Sequence, residues 1–171
     1  NQMLSTKEIA EKVNINPTEV DKIIVVNGPG SFTGIRIGIT IAKVFAWSLN
    51  IPITTISALE AMSLSSKTNM LHVPILDARR GYVFGAIYDQ DNSAIFSPKH
   101  IKLEELLQEL QDKENYIFIT NDVFEGIENK EPYDPDIEKI VNTFESKEPM
   151  NPHAVNPEYL KLTEAEESKL N

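Results

Sequence analysis

Twelve residues constrain this chain more than any others: Asn27-Gly28-Pro29-Gly30-Ser31-Phe32-Thr33-Gly34-Ile35-Arg36-Ile37-Gly38. Ahead of them, residues 22–26 read KIIVV, a short β-branched run that suits a buried strand. Behind them, residues 35–49 are almost continuously apolar, with no proline before Pro52. The pattern predicts a strand, a glycine turn and a helix in direct succession. Gly28 and Gly30 can take backbone angles closed to other residues, and Pro29 fixes the turn between them. Ser31 or Thr33 can cap the first free amides of the helix.

Such a joint has two physical readings. The turn Gly28, Gly30, Ser31, Thr33 and Gly34 can present bare N–H groups and a positive dipole end to a phosphate or carboxylate, as in an anion or nucleotide site. It can equally be a tight corner whose glycines let helix and sheet pack closely. The turn lacks the Gly-Lys-Ser/Thr of a triphosphate loop, and the spacing of Gly28, Gly30 and Gly34 misses the dinucleotide fingerprint by one residue.

Charge narrows the partners. The 171 residues carry 16 Lys and Arg against 26 Asp and Glu, a net charge of −10. That argues against a surface that binds nucleic acid unaided, because phosphate contacts need clustered cations. With no cysteine there is neither a disulfide framework nor a thiolate metal site. No apolar run reads as long enough to span a membrane and no signal-peptide pattern opens the chain, so the cytoplasm is the expected compartment.

In order, residues 6–14 read as a short amphipathic helix and 23–26 as the first strand. A central helix runs from about Thr33 to Asn50, 53–56 is a parallel strand, and Ser57 caps a second helix through Leu64. The polar stretch 65–69 marks a lobe boundary, giving lobes of 1–65 and 70–171. In the second lobe, 71–77 and 82–88 read as strands around an Arg79-Arg80-Gly81 turn, followed by a strand over 94–97. A helix over 103–110, a strand over 116–120 and a last helix over 137–144 complete it, with an acidic tail from Leu160.

The central helix carries more apolar surface than one buried face needs, so it is either sandwiched in its own domain or meets another protein. Arg36, Thr40, Lys43 and Trp47 step by four, three and four and fall on one side, which makes them the expected association surface. Ile37, Ile41, Val44, Phe45 and Leu49 form one stripe, widened by Ile35, Ile39, Ala42 and Ala46, and these residues or their neighbours are expected to pack against the sheet. Arg79 and Arg80 can hold a phosphate or carboxylate, or one of them can simply pair with Asp77. The three histidines, His72, His100 and His153, have no ligand spacing between them.

The stretch from Gly28 to Ser63, GPGSFTGIRIGITIAKVFAWSLNIPITTISALEAMS, closely resembles the signature segment of the bacterial TsaB (YeaZ) family. The resemblance continues through Asp77-Ala78-Arg79-Arg80-Gly81-Tyr82-Val83. It reaches Asn156-Pro157-Glu158-Tyr159-Leu160-Lys161, which is similar to the family's closing motif. It implies an α/β actin-like ATPase (ribonuclease-H-like) fold in two lobes. Such chains begin with about three strands carrying an Asp-Thr-Ser turn, so a missing segment is expected between Ser5 and Thr6, and another within 121–135.

The resemblance further implies a role in making threonylcarbamoyladenosine in tRNA, beside a TsaD-like catalytic subunit and a small TsaE-like ATPase, with a homodimer when alone. No tight tRNA binding and no membrane contact are expected. Where the catalytic relative TsaD reads Asn-His-Leu-Glu-Gly-His, this chain has Ser57-Ala58-Leu59-Glu60-Ala61-Met62. Ala58 and Met62 thus stand at the positions of two metal-binding histidines. No catalytic residue, metal or cofactor is expected, with ATP or ADP only at a complex interface. The alternatives are a glycoprotease-like metallopeptidase and a nucleotide-binding regulatory protein.

Overall fold

The computed structural model describes residues 12, 14–145 and 147–157. The expected first helix, apart from Lys12 and Asn14, and everything from Glu158 onward lie outside the described residues. Parallel strands β1 (Ile23–Val26) and β2 (Ile53–Ile56) form one small sheet. Between them runs helix α1 (Phe32–Leu49), and α2 (Ala58–Leu64) follows β2 at once.

A five-stranded sheet holds the rest: β3 (Leu71–Asp77), β4 (Tyr82–Tyr88), β5 (Ala94–Lys102), β6 (Tyr116–Ile119) and β7 (Lys130–Glu131), in the order β5-β4-β3-β6-β7. The β3–β4 and β4–β5 pairs are antiparallel, while β3–β6 and β6–β7 are parallel. Helix α3 (Leu103–Glu109) follows β5, and α4 (Ile137–Phe144) returns to the small sheet.

Side-chain alternation builds the layers. Ile23 and Val25 face α1, packing with Ile39, Ala42, Ala46, Ile53 and Val155. Ile24 and Ile56 face the other way, onto Ala61, Leu64, Ile140 and Phe144. In the larger sheet, Val73, Ile75, Val83, Ile87 and Phe118 meet Leu106 and Leu110 on one face. On its other face Ala86, Tyr88 and Ile119 meet Leu59 and Met62 of α2. Helix α2 is therefore shared, since adjacent stripes of its seven residues enter two different cores.

Polar contacts pin the return segment. The Lys22 ammonium donates to the carbonyls of Phe144, Glu145 and Lys147, each at 3.0 Å, and so caps the C-terminal end of α4 with a cation. Asn121 exchanges two hydrogen bonds with the backbone of Tyr133, whose phenol is pushed above its ordinary pKa by burial.

Two local expectations are corrected. Ser57 precedes α2 but makes no side-chain cap bond, and its Oγ is buried without a partner among the described residues. The amide of Ala58 instead donates to the carbonyl of Gly28 at 2.7 Å, so backbone from the glycine turn does the capping. The strand expected over 94–97 runs on to Lys102, because pairing with β4 carries it through Pro98 and past a bulge.

Candidate protein-partner interface

The glycine turn sits where β1 ends and α1 begins. Gly28 has φ of +115°, open to glycine alone among ordinary residues, and the Gly28–Pro29 peptide is cis. Of the two capping candidates, Ser31 is the one used: its hydroxyl accepts from the amide of Gly34 at 3.4 Å. Thr33 lies exposed in the first turn of α1. With the Gly28 carbonyl tied to α2, the turn is a corner that fixes both helices to the small sheet.

What that corner sets out is α1, twelve of whose eighteen residues form three stripes with the same four-three-four step. Each stripe is rotated about 100° from the last. Ile35, Ile39, Ala42 and Ala46 form the packed stripe. Next come Arg36, Thr40, Lys43 and Trp47. The third stripe, Ile37, Ile41, Val44 and Ser48, points away from the sheet, with Ile37 43%, Ile41 45% and Val44 59% exposed.

Of the stripe expected to pack against the sheet, the widening residues Ile35, Ile39, Ala42 and Ala46 do so, and the centre placed on Ile37, Ile41 and Val44 is corrected. Ile37, Ile41 and Val44 face water, while Phe45 and Leu49 are half-buried. The physical reason is size. Ala42 and Ala46 let the helix lie close against β1, β2 and Val155, which a stripe of Ile and Val would hold away. Small residues at alternate steps of four and three were the available signal, masked by isoleucines on every side.

The Arg36–Trp47 stripe is the flank of this surface. The Arg36 guanidinium lies over the Phe32 ring, 5.5 Å from its centroid. The Lys43 ammonium is 3.5 Å from the His153 carbonyl, and Trp47 is 68% exposed. Thr40, Lys43, Val44, Trp47, Pro152 and His153 line a groove of about 370 Å³. By length and composition α1 is even apolar enough to cross a membrane, contrary to the reading of the sequence. Its Ile39–Ala42–Ala46 contacts and its two cations instead make it a helix on the face of its own domain.

Arg79 and Arg80 belong to the other sheet, at the tip of the β3–β4 hairpin with φ of 68° and 53°. Both are exposed, and neither guanidinium pairs with a carboxylate among the described residues. The carboxylate of Asp77 accepts from the Arg79 amide at 3.0 Å, so it shapes the turn and leaves the guanidinium alone. This replaces the expected aspartate–arginine pair. Met62 is 2% exposed within the α2–sheet core, and among the described residues no three His, Asp or Glu side chains converge as a metal site would need.

Known proteins resemble the chain along most of its length. Residues 1–130 match the family model described as TsaD, tRNA N6-adenosine threonylcarbamoyltransferase. The tRNA threonylcarbamoyladenosine biosynthesis protein TsaB of Bacillus subtilis (strain 168) is 31% identical over 182 residues, covering 96% of this chain and 80% of the relative. The protein of the same description from Escherichia coli (strain K12) is 37% identical over 82 residues, 46% of this chain and 36% of the relative. Among solved structures, an uncharacterized protein with similarity to peptidase YEAZ from Pseudomonas aeruginosa superposes with a TM-score of 0.73 at 16% identity. It covers 91% of this chain and 80% of that one. YeaZ from Pseudomonas aeruginosa gives a TM-score of 0.68 at 15% identity, over 89% and 80%.

Proposed function

This chain belongs to the TsaB (YeaZ) family, and from that membership we propose that it is a non-catalytic subunit holding a TsaD-like catalytic subunit through the outer face of α1. Its work is in tRNA threonylcarbamoyladenosine biosynthesis. A TsaE-like ATPase completes the assembly, and a second copy of the chain covers α1 when the catalytic subunit is absent.

The single observation that carries this reading is the apolar outer stripe of α1. Three β-branched side chains on one helix face, with Phe32 and Trp47 beside them, are each more than 40% exposed. Contiguous apolar surface of that kind marks an association site. Aromatic residues and arginine, both present at its edge, are the types that anchor interfaces.

The fate of α2 agrees. At the place where the relative's metal ligands stand, Met62 is spent on packing Leu59, Ala86, Tyr88 and Ile119. Alanine at position 58 offers no ligand at all, and a lone thioether is a poor one for a hard cation.

Solution mass tests the reading. Light scattering of the chain mixed with the TsaD-like subunit encoded in the same genome is expected to give one particle containing both. Two unmixed species at tens of micromolar would contradict it.

A further inference from the structure

Helix α1 carries two cations and no carboxylate: Arg36 and Lys43 are the charged residues of 32–49, in a chain of net charge −10. Both sit on the same flank of the exposed face, one helical step from the Ile37–Ile41–Val44 stripe. The opposite flank carries Gly34 and Gly38, followed by the half-buried Phe45 and Leu49, and a Cβ added at Gly38 would meet nothing within 4 Å. The docking surface is therefore lopsided, with a cationic edge, an apolar centre and an uncharged edge.

That asymmetry discriminates between occupants. In a closed pair of identical chains the two copies present the same patch. Two α1 helices crossing antiparallel about a two-fold axis lay each flank on its own copy, so Arg36 and Lys43 would face Lys43 and Arg36. Parallel helices would set the cationic flank against the Gly34–Gly38 flank, which offers no carboxylate. In neither arrangement do the cations find a partner on α1.

Resting on the docking role given to α1 above, we propose that this face is shaped for a helix whose own flank carries Asp or Glu, and that Arg36 and Lys43 disfavour self-pairing. The occupant is a partner helix with an apolar centre and an acidic edge, its carboxylates meeting the two cations. A second copy is the weaker substitute. Like charges placed together across an interface suppress wrong partners while opposite charges fix the right one.

Salt and neutral substitution read this out, because screening weakens attraction and repulsion alike. Self-association of the wild-type chain, followed by sedimentation, should tighten as sodium chloride rises from 50 to 500 mM. Binding to the TsaD-like subunit should loosen over the same range. The double variant Arg36→Gln, Lys43→Gln should self-associate more tightly than wild type, by roughly threefold to tenfold, and bind the TsaD-like subunit about tenfold more weakly.

A mixing experiment separates the flank from net charge. Arg36→Glu with Lys43→Glu moves the chain from −10 to −14, since each exchange subtracts two charges. General repulsion would then weaken mixed pairs with wild type, whereas flank complementarity should make them tighter than either chain with itself. Circular dichroism on each variant checks that the helix is intact. Mixed pairs no tighter than wild-type pairs, or a TsaD-like complex indifferent to salt, overturns the proposal. Should Ile41→Asp leave both associations untouched, the docking role of α1 itself fails, which is a different result.

Discussion

Ile41→Asp should abolish pairing with the TsaD-like subunit, raising Kd by at least about a hundredfold, while the chain stays folded. Ile41 is 45% exposed on the outer stripe of α1, so in the free chain the new carboxylate lies in water. The folding cost is then the difference in helix propensity, a few tenths of a kcal/mol. In the proposed complex the same carboxylate would be buried against apolar side chains, and an unpaired buried charge costs several kcal/mol. About 2.8 kcal/mol already corresponds to a hundredfold. Titration calorimetry and a thermal melt on one preparation decide the matter. Unchanged binding removes Ile41 from the interface, and a melting point many degrees lower places it in a core.

The second large effect is on stability. Met62→His should cost about 2–4 kcal/mol, because it removes a buried thioether chain and brings a polar imidazole into a core of mainly apolar side chains. Met62 is 2% exposed and packs against Leu59, Ala86, Tyr88 and Ile119. Urea unfolding would show it as a lower midpoint at unchanged slope. Combining it with Ala58→His writes the catalytic relative's two histidines back into α2, yet should not restore stoichiometric zinc. A double variant that is as stable as wild type and holds zinc would mean that this end of α2 kept its metal site.

The same contrast between α1 and α2 explains what the sequence disclosed. Strands β1, β2, β3 and β4 and helices α2 and α4 lie at their expected bounds, because each has a local signal. KIIVV has β-branched continuity, and 137–144 has a single apolar face capped by Asp136, whose carboxylate accepts from the Lys139 amide. Helix α1 was legible as a helix, but its orientation was not. With isoleucine or valine at 35, 37, 39, 41 and 44, periodicity fits several faces equally, and the fit of Ala42 and Ala46 against β1 and β2 decided between them.

Elements made by tertiary pairing were also hidden. Strand β7 is two charged residues, Lys130 and Glu131, held beside Phe118 and Ile119 and by the Glu131 carboxylate's contact with Ser66. No propensity marks such a pair. Of the exposed face, the sequence marks Arg36, Thr40, Lys43 and Trp47, which form its flank, and leaves its centre, Ile37, Ile41 and Val44, unmarked. A tryptophan on a helix draws attention by its type, whereas an isoleucine facing water is seen only once the packing is known.

In the proposed function this chain serves threonylcarbamoyladenosine biosynthesis by holding the catalytic subunit and performs no step of the transfer itself. The most direct measurement is formation of threonylcarbamoyladenosine on tRNA, with the other components supplied and this chain and the TsaD-like subunit added separately or together. The account predicts no product from this chain alone. It predicts full activity from wild type with the TsaD-like subunit, and loss of that gain with Ile41→Asp. Product formed by this chain without the TsaD-like subunit, or full activity with Ile41→Asp, would contradict it.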